Sequence, residues 1–296
     1  MVTAVAPAVD QSAGRRRGQL YIALAAVAWS TAGVLQRQLS LDGATQVGGR
    51  AVFAALALLV YVAVLERGNF LQAWRSIGVA GVGVAVCLAA ASCAFILALN
   101  ETTVARVLFI QAIAPVLAAM LARVFLGEPV SPRTAVALAL ALAGVAIMLG
   151  APGSGNLTGD LLALVMALSF AVALVITRHR RDVSMAPATC LSQVLLMVAF
   201  LPFASLSDVG NQDLVVLAAL GAGQIGLGLI FLTLGARLIP AAQVGLITLL
   251  EVVLGPLWVW LALDEHPGTL TLVGGAVVVA AIVIQTRGER SVAPTV

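Results

Sequence analysis

Glu251 stands about ten residues into an apolar segment, 241–262, that holds no other ionisable side chain. If that segment is a helix across a bilayer, a rise of 1.5 Å per residue puts the carboxylate ~15 Å in. That is near the middle of a hydrocarbon layer roughly 30 Å thick. A charge at that depth costs about 2.5–3.5 kcal/mol on insertion scales, so it faces a cavity or a partner. Two chemistries suit it: a contact to a bound ammonium, or the uptake and release of a proton. A structural hydrogen bond at a helix bend near Val252 and Pro256 suits it as well.

Three arginines, Arg37, Arg50 and Arg106, also fall inside apolar segments. A guanidinium offers a planar fork that matches a carboxylate. The competing expectation is that they reach to the interface or pair with Asp42 and Glu101. The remaining polar or aromatic residues inside apolar segments include Trp29, Ser30, Thr31, Gln111, Gln193, Gln224, Gln243, Thr248, Trp258 and Trp260. Trp258 and Trp260 lie where an interfacial aromatic belt would.

Other chemistry is excluded by context. Gly221-Ala222-Gly223-Gln224-Ile225-Gly226 fits a dinucleotide-binding spacing, but no strand precedes it and no βαβ unit has room. Its glycines instead suit close helix approach or unwinding. Gly150 and Gly155 carry the spacing of a phosphate loop, but Asn156-Leu157 replaces the Lys and the hydroxyl. Cys87, Cys93 and Cys190 all lie in apolar runs, with no zinc or disulfide spacing. His179 and His266 are loop residues without metal partners. No cofactor and no metal is expected. An intramembrane enzyme would need paired midplane ionisable groups, and a channel would need rings of like charge or a filter.

The elements that must position these residues follow from hydropathy. The chain of 296 residues is 61% hydrophobic and 10% charged, against about 25% charged in soluble domains. Apolar runs predict ten helices at about 19–38, 45–65, 76–98, 103–126, 133–150, 159–177, 186–205, 213–235, 241–262 and 268–286. Barrel strands would be short and alternating. The breaks carry Gly, Pro, Asn and Asp chemistry. An all-α polytopic membrane protein is expected, with residues 1–18 as a disordered N-terminal tail, halves at 19–151 and 159–286, and 287–296 as a second tail.

Charge sets the orientation. One side collects Arg15, Arg16, Arg17, Arg67, Arg75, Arg133, Arg178, Arg180, Arg181, Arg237, Arg287 and Arg290 together with both termini. The other side collects Asp42, Glu101, Asp160, Asp208, Asp213, Asp264 and Glu265. The positive-inside rule predicts both termini in the cytoplasm. All sixteen basic residues are arginine, and the net charge of +3 does not call for nucleic acid.

The chain repeats. A shift of 137 residues sets Glu128 on Glu265, Thr134 on Thr271 and Ile110 on Ile247, and a shift of 141 sets Trp29 on Phe170. Five helices is an odd number, so the second half enters from the opposite side. Inverted repeats of this kind build alternating-access carriers.

The run Ala105–Arg133, with Pro115-Val116 and then Leu126-Gly127-Glu128, resembles the fourth helix of the EamA family of the drug/metabolite transporter superfamily. The second copy is degenerate: Glu251 stands where that repeat often has Glu, Val252 replaces the following Pro, and Pro256 is displaced. As a whole the chain is similar to the YddG-type bacterial exporters of aromatic and other amino acids. The resemblance implies a cavity lined by helices one, three, four, six, eight and nine. That favours Trp29, Ser30, Gln111, Gln224, Gln243, Thr248 and Glu251 as substrate-binding residues. It also implies a secondary transporter of the inner membrane, with a drug or nucleotide-sugar carrier as the alternative. The expected partners are an amino acid and the lipid bilayer; a monomer suffices.

Overall fold

The computed structural model describes residues 11–65, 69–102, 104–149, 156–263 and 266–287. The expected turn at 66–68, the connection 150–155, Asp264, Glu265 and the stretches 1–10 and 288–296 lie outside the described residues. Within them the chain is helical and holds no strand. Ten helices are long and apolar enough to cross a membrane: α1 (Ala13–Gln36), α2 (Gly43–Leu65), α3 (Gly78–Ala98), α4 (Arg106–Leu126), α5 (Pro132–Leu149), α6 (Leu157–His179), α7 (Ala186–Phe203), α8 (Asn211–Ala236), α9 (Ala241–Ala262) and α10 (Thr269–Thr286). The end of the bundle that carries the arginine-rich loops is called the basic end below, the other the acidic end.

Local chemistry sets the helix ends. Gly127 adopts φ +66° and caps α4, its N–H reaching back to the Ala122 carbonyl. A residue with a Cβ is strained in that left-handed conformation. Pro132 opens α5, where the missing N–H is not needed. Asn156 caps α6 by accepting from the Thr158 N–H at 3.1 Å. Asp42 does the same for α2, accepting from the Thr45 N–H at 3.0 Å and from its hydroxyl. These donors hold the Asp42 carboxyl below its ordinary range.

The packing follows a pseudo-two-fold. α2 packs on α7, α4 on α9 and α5 on α10, each on its own counterpart; α1 packs on α8 and α3 on α6, which exchange. Counterpart helices run in opposite directions, because each half has five. The architecture is therefore two inverted five-helix repeats. Lipid tails give helices no hydrophobic reason to associate, so close contact depends on small residues. A Cβ on Gly144 of α5 would lie 2.8 Å from the Gly274 carbonyl oxygen of α10. Alanine supplies much of the rest of the core, as at Ala51, Ala54, Ala118, Ala122, Ala171 and Ala281. Large apolar side chains turn outward: Val79, Val124, Phe125, Val215 and Leu261 are 70–90% exposed. A surface of that kind belongs against lipid.

Four features depart from the sequence-based boundaries. The first helix begins at Gln11, so Arg15, Arg16 and Arg17 ride on it instead of ending a disordered tail. Extending a helix already nucleated adds a hydrogen bond per residue, and arginine is a good helix former. A short helix, Phe70–Ser76, precedes α3. The α-helix of α7 stops at Phe200 and becomes a 3-10 turn, Leu201–Phe203, at Pro202, which has no N–H to give. The fourth departure, the interruption of several helices within their spans, forms the site.

Candidate functional site

Four helices are irregular within their spans. α1 breaks at Thr31, between Gln11–Ser30 and Ala32–Gln36. The Ser30 and Thr31 hydroxyls bond back to the Val27 and Ala28 carbonyls at 2.7 Å each, which competes with the helix ladder. α8 holds a π-helical stretch, Ala219–Gly226. α4 breaks at Ala112–Ile113, and α9 at Leu249. These last two are pseudo-symmetric, since 112 plus 137 is 249. Each restarts on bonds three residues long: Val116 N–H to the Ile113 carbonyl at 2.9 Å, and Val252 N–H to the Leu249 carbonyl at 3.1 Å. The bend expected near Val252 and Pro256 lies earlier, and Pro256 sits inside the unbroken helix Leu250–Leu263.

The broken helices α4 and α9 cross at Gly245, where a Cβ would lie 2.9 Å from Cα of Pro115. Beyond the crossing, Gln111 ends the first half of α4 and Glu251 begins the second half of α9. Gln111 Nε2 donates to Glu251 Oε1 at 2.6 Å. Gln111 Oε1 is sealed from solvent and has no hydrogen-bond partner among the described residues. A carboxylate and an amide oxygen both offering lone pairs make an acceptor site. Such a site suits a donor cation, an ammonium above all.

A separate aromatic group lies on α1 and α6. Trp29 of α1 meets Phe170 of α6 edge to face, with centroids 6.2 Å apart. The Trp29 indole lies where Gly228 of α8 has no Cβ. Both rings pack on the apolar core that contains Leu250 and Val252, the neighbours of Glu251. Gln224 Nε2 reaches the Trp29 carbonyl at 3.5 Å. Trp258 Nε1 donates to the Ser30 hydroxyl at 2.8 Å. A groove of about 670 Å³ opens between α1, α8 and α9 in the acidic half, lined by Val27, Thr31, Gln224, Phe231 and Trp258 among others. Neither Gln111 nor Glu251 lines it.

Five of the seven expected site residues thus fall into contacts around the broken helices: Gln111 with Glu251, Trp29 with Gln224, and Ser30 with Trp258. Two do not join them. Gln243 is buried in the first turn of α9, eight residues or ~12 Å along from Glu251. Thr248 is buried and gives its hydroxyl to the Gly245 carbonyl at 2.7 Å. The helix breaks between Thr248 and Glu251, so they form no continuous polar stripe. Trp260 is 38% exposed beside His266, as a belt residue would be. Gln193 is buried and donates to Ser192.

The arginines separate. Arg106 pairs with Asp160 of α6, Nε to Oδ1 at 2.8 Å and a second, shorter contact between Nη2 and Oδ2; the expected acids were Asp42 and Glu101. Glu101 instead accepts from Asn156 at 2.9 Å. The Arg106–Asp160 pair ties the first half to the second at the acidic end, and Glu101 holds the connection just before α6. At the basic end Arg178 Nε donates to Glu128 at 2.7 Å, and Arg178 Nη1 to the Arg237 carbonyl at 2.9 Å. The Leu126-Gly127-Glu128 motif therefore ends one helix with its glycine and holds another with its carboxylate. Arg37 is exposed at the end of α1. Sequence reasoning missed Asp160, Phe170 and Arg178 as partners. The shift of 141 residues, which sets Phe170 on Trp29, was the one signal available.

Inverted halves, interrupted helices and a polar pair at a crossing are the arrangement from which membrane transporters are built. The family model of the EamA-like transporter family matches twice, over residues 16–150 and 157–287. The chain belongs to that family. A solved structure described as "Crystal structure of protein" shares the fold, with a TM-score of 0.78 at 21% identity over 92% of this chain and 97% of the other. No curated protein matches the sequence.

Proposed function

We propose that this transporter exports amino acids, aromatic and other small neutral ones, across the bacterial inner membrane by alternating access. The observation that carries the reading is the Gln111–Glu251 pair at the crossing of two broken helices. Its unused acceptors suit an α-ammonium. The Trp29–Phe170 pair supplies an apolar, aromatic wall for a side chain. The ion pairs Arg106–Asp160 and Arg178–Glu128 join the two halves at opposite ends of the bundle, so rocking one half against the other would break one while the other holds. The likeness to YddG-type exporters supports the same substrate class.

Labelled phenylalanine loaded into proteoliposomes should exchange with external phenylalanine only when the protein is present. Absence of exchange for the whole set of neutral amino acids would sink the reading. The alternative is a drug, nucleotide-sugar or other metabolite carrier of the same superfamily. The groove between α1, α8 and α9 favours a lipophilic drug over a sugar nucleotide, since its polar lining is little more than Thr31, Gln224 and Trp258. Exchange of a lipophilic amine without exchange of amino acids would select it.

The arginine asymmetry supports cytoplasmic termini. A reporter active only outside the cytoplasm should be silent when fused to the C-terminus and active when inserted after Asn156. The reverse pattern would overturn the orientation.

A further inference from the structure

Arg50 is more than nine-tenths buried. It lies seven residues into α2, ~10 Å from that helix's acidic end. Leu59, nine residues or two and a half turns on, is 40% exposed on the opposite face. Arg50 therefore points into the bundle, away from lipid. Among the described residues its one hydrogen-bond partner is the Ser92 hydroxyl of α3, at a long 3.4 Å. Ser92 follows Val84 and Leu88 at helical spacing, on the α3 face that meets the central core. Among the described residues no carboxylate pairs with Arg50.

A guanidinium carries five donors and stays charged. Buried with one distant neutral acceptor, it is left largely uncompensated, and a chain keeps such a group where a ligand completes it. The partly exposed Arg106 is satisfied by Asp160; among the described residues Arg50 has no such acid. We propose that Arg50, with Ser92, is an anion site in the acidic half of the pathway, which takes the carboxylate of the transported solute. A single guanidinium balances one negative charge and bonds a carboxylate through two parallel N–H donors. A phosphate dianion would need a second cation, and among the described residues no basic residue other than Arg50 bonds Ser92. This rests on the amino-acid reading for the identity of the solute, though not for the presence of the site. Arg50 lies on α2, which packs chiefly on α7 and α8 rather than on α9, so it acts at a separate point on the path from Glu251, before or after it.

The test uses the purified full chain and three probes: 3-phenylpropionate, which has the carboxylate alone, phenethylamine, which has the ammonium alone, and inorganic phosphate. Binding is read from the concentration dependence of the unfolding midpoint. We expect 3-phenylpropionate to stabilise the wild type and to bind Arg50→Gln at least ten-fold more weakly, with phenethylamine binding unchanged. Equal binding of 3-phenylpropionate to Arg50→Gln, its failure to stabilise the wild type, or stabilisation by phosphate instead would each overturn the proposal. Arg50→Met checks the fold independently: without ligand it should unfold at or above the wild-type midpoint, because an uncompensated charge is removed. A fall of several degrees would mean that the chain itself satisfies Arg50, and the anion site would be rejected. If wild-type proteoliposomes exchange no amino acid while 3-phenylpropionate still requires Arg50, the amino-acid reading fails and the anion site stands.

Discussion

Glu251→Gln is expected to lower phenylalanine exchange about 10- to 100-fold while leaving the protein folded and monodisperse. The variant keeps the size and planarity of the side chain and can still bond Gln111, which now donates to Glu251 at 2.6 Å. What it loses is the charge. A hydrogen bond to a charged group contributes about 1.5–3 kcal/mol, which corresponds to roughly that range at about 1.4 kcal/mol per factor of ten. Gln111→Leu should cost less, because it removes a neutral acceptor and leaves the carboxylate. The two roles open to Glu251 separate by substrate. If it meets the ammonium, phenethylamine binding falls with phenylalanine binding, whereas 3-phenylpropionate binding does not. If it carries only a proton, both bind normally and proton-driven accumulation is lost while exchange persists. Wild-type exchange and accumulation in Glu251→Gln would leave it the structural role alone.

The ten helices were legible in the sequence because the signal is collective: some twenty apolar residues between polar breaks leave little choice. The inverted repeat was legible for a related reason, since five helices per half fixes the direction of the second. The interruptions were not. Ala112-Ile113 and Leu249-Leu250 are ordinary helix residues, and Pro256, the residue that reads as a breaker, lies within a continuous helix. Two breaks have local causes that the apolar pattern hides: the Ser30 and Thr31 hydroxyls bond back to the ladder in α1, and Pro115 has no N–H to give at the restart of α4. Partner choice was hidden because tertiary packing sets it. Arg106 lies five residues from Glu101 in sequence, yet α4 packs on α6 and brings Asp160 to it. Gln111 and Glu251 are 140 residues apart. The repeat sets Gln111 on Thr248, one turn before Glu251, but nothing local says that the two broken ends meet. The expected polar stripe of Thr248 and Glu251 assumed an unbroken helix, and the helix is interrupted between them at Leu249.

Gly245→Ala should lower the unfolding midpoint by several degrees and cut transport in proportion to more than the loss of folded protein. The added Cβ would lie 2.9 Å from Cα, 3.1 Å from Cβ and 3.2 Å from Cγ of Pro115. The nearest of these is backbone of a helix that opens with Pro115 in its first turn, so no side chain can swing aside. Overpacking of this kind costs about 1–3 kcal/mol, against roughly 1 kcal/mol regained from replacing glycine by alanine in a helix. Gly83→Ala on α3 is the matched control: its Cβ would meet only the Ile176 Cδ1 at 3.5 Å, an ordinary contact, so the helix gain should remain. The midpoint should thus move down for one substitution and stay or rise for the other. The transport effect has a separate cause. Gly245 and Pro115 mark the place where α4 crosses its own counterpart α9. Prying them apart shifts Gln111, four residues before Pro115, away from Glu251, six residues after Gly245. A Gly245→Ala protein with an unchanged midpoint would show that the crossing yields easily. One that is destabilised yet transports normally per folded molecule would show that the Gln111–Glu251 contact does not depend on it.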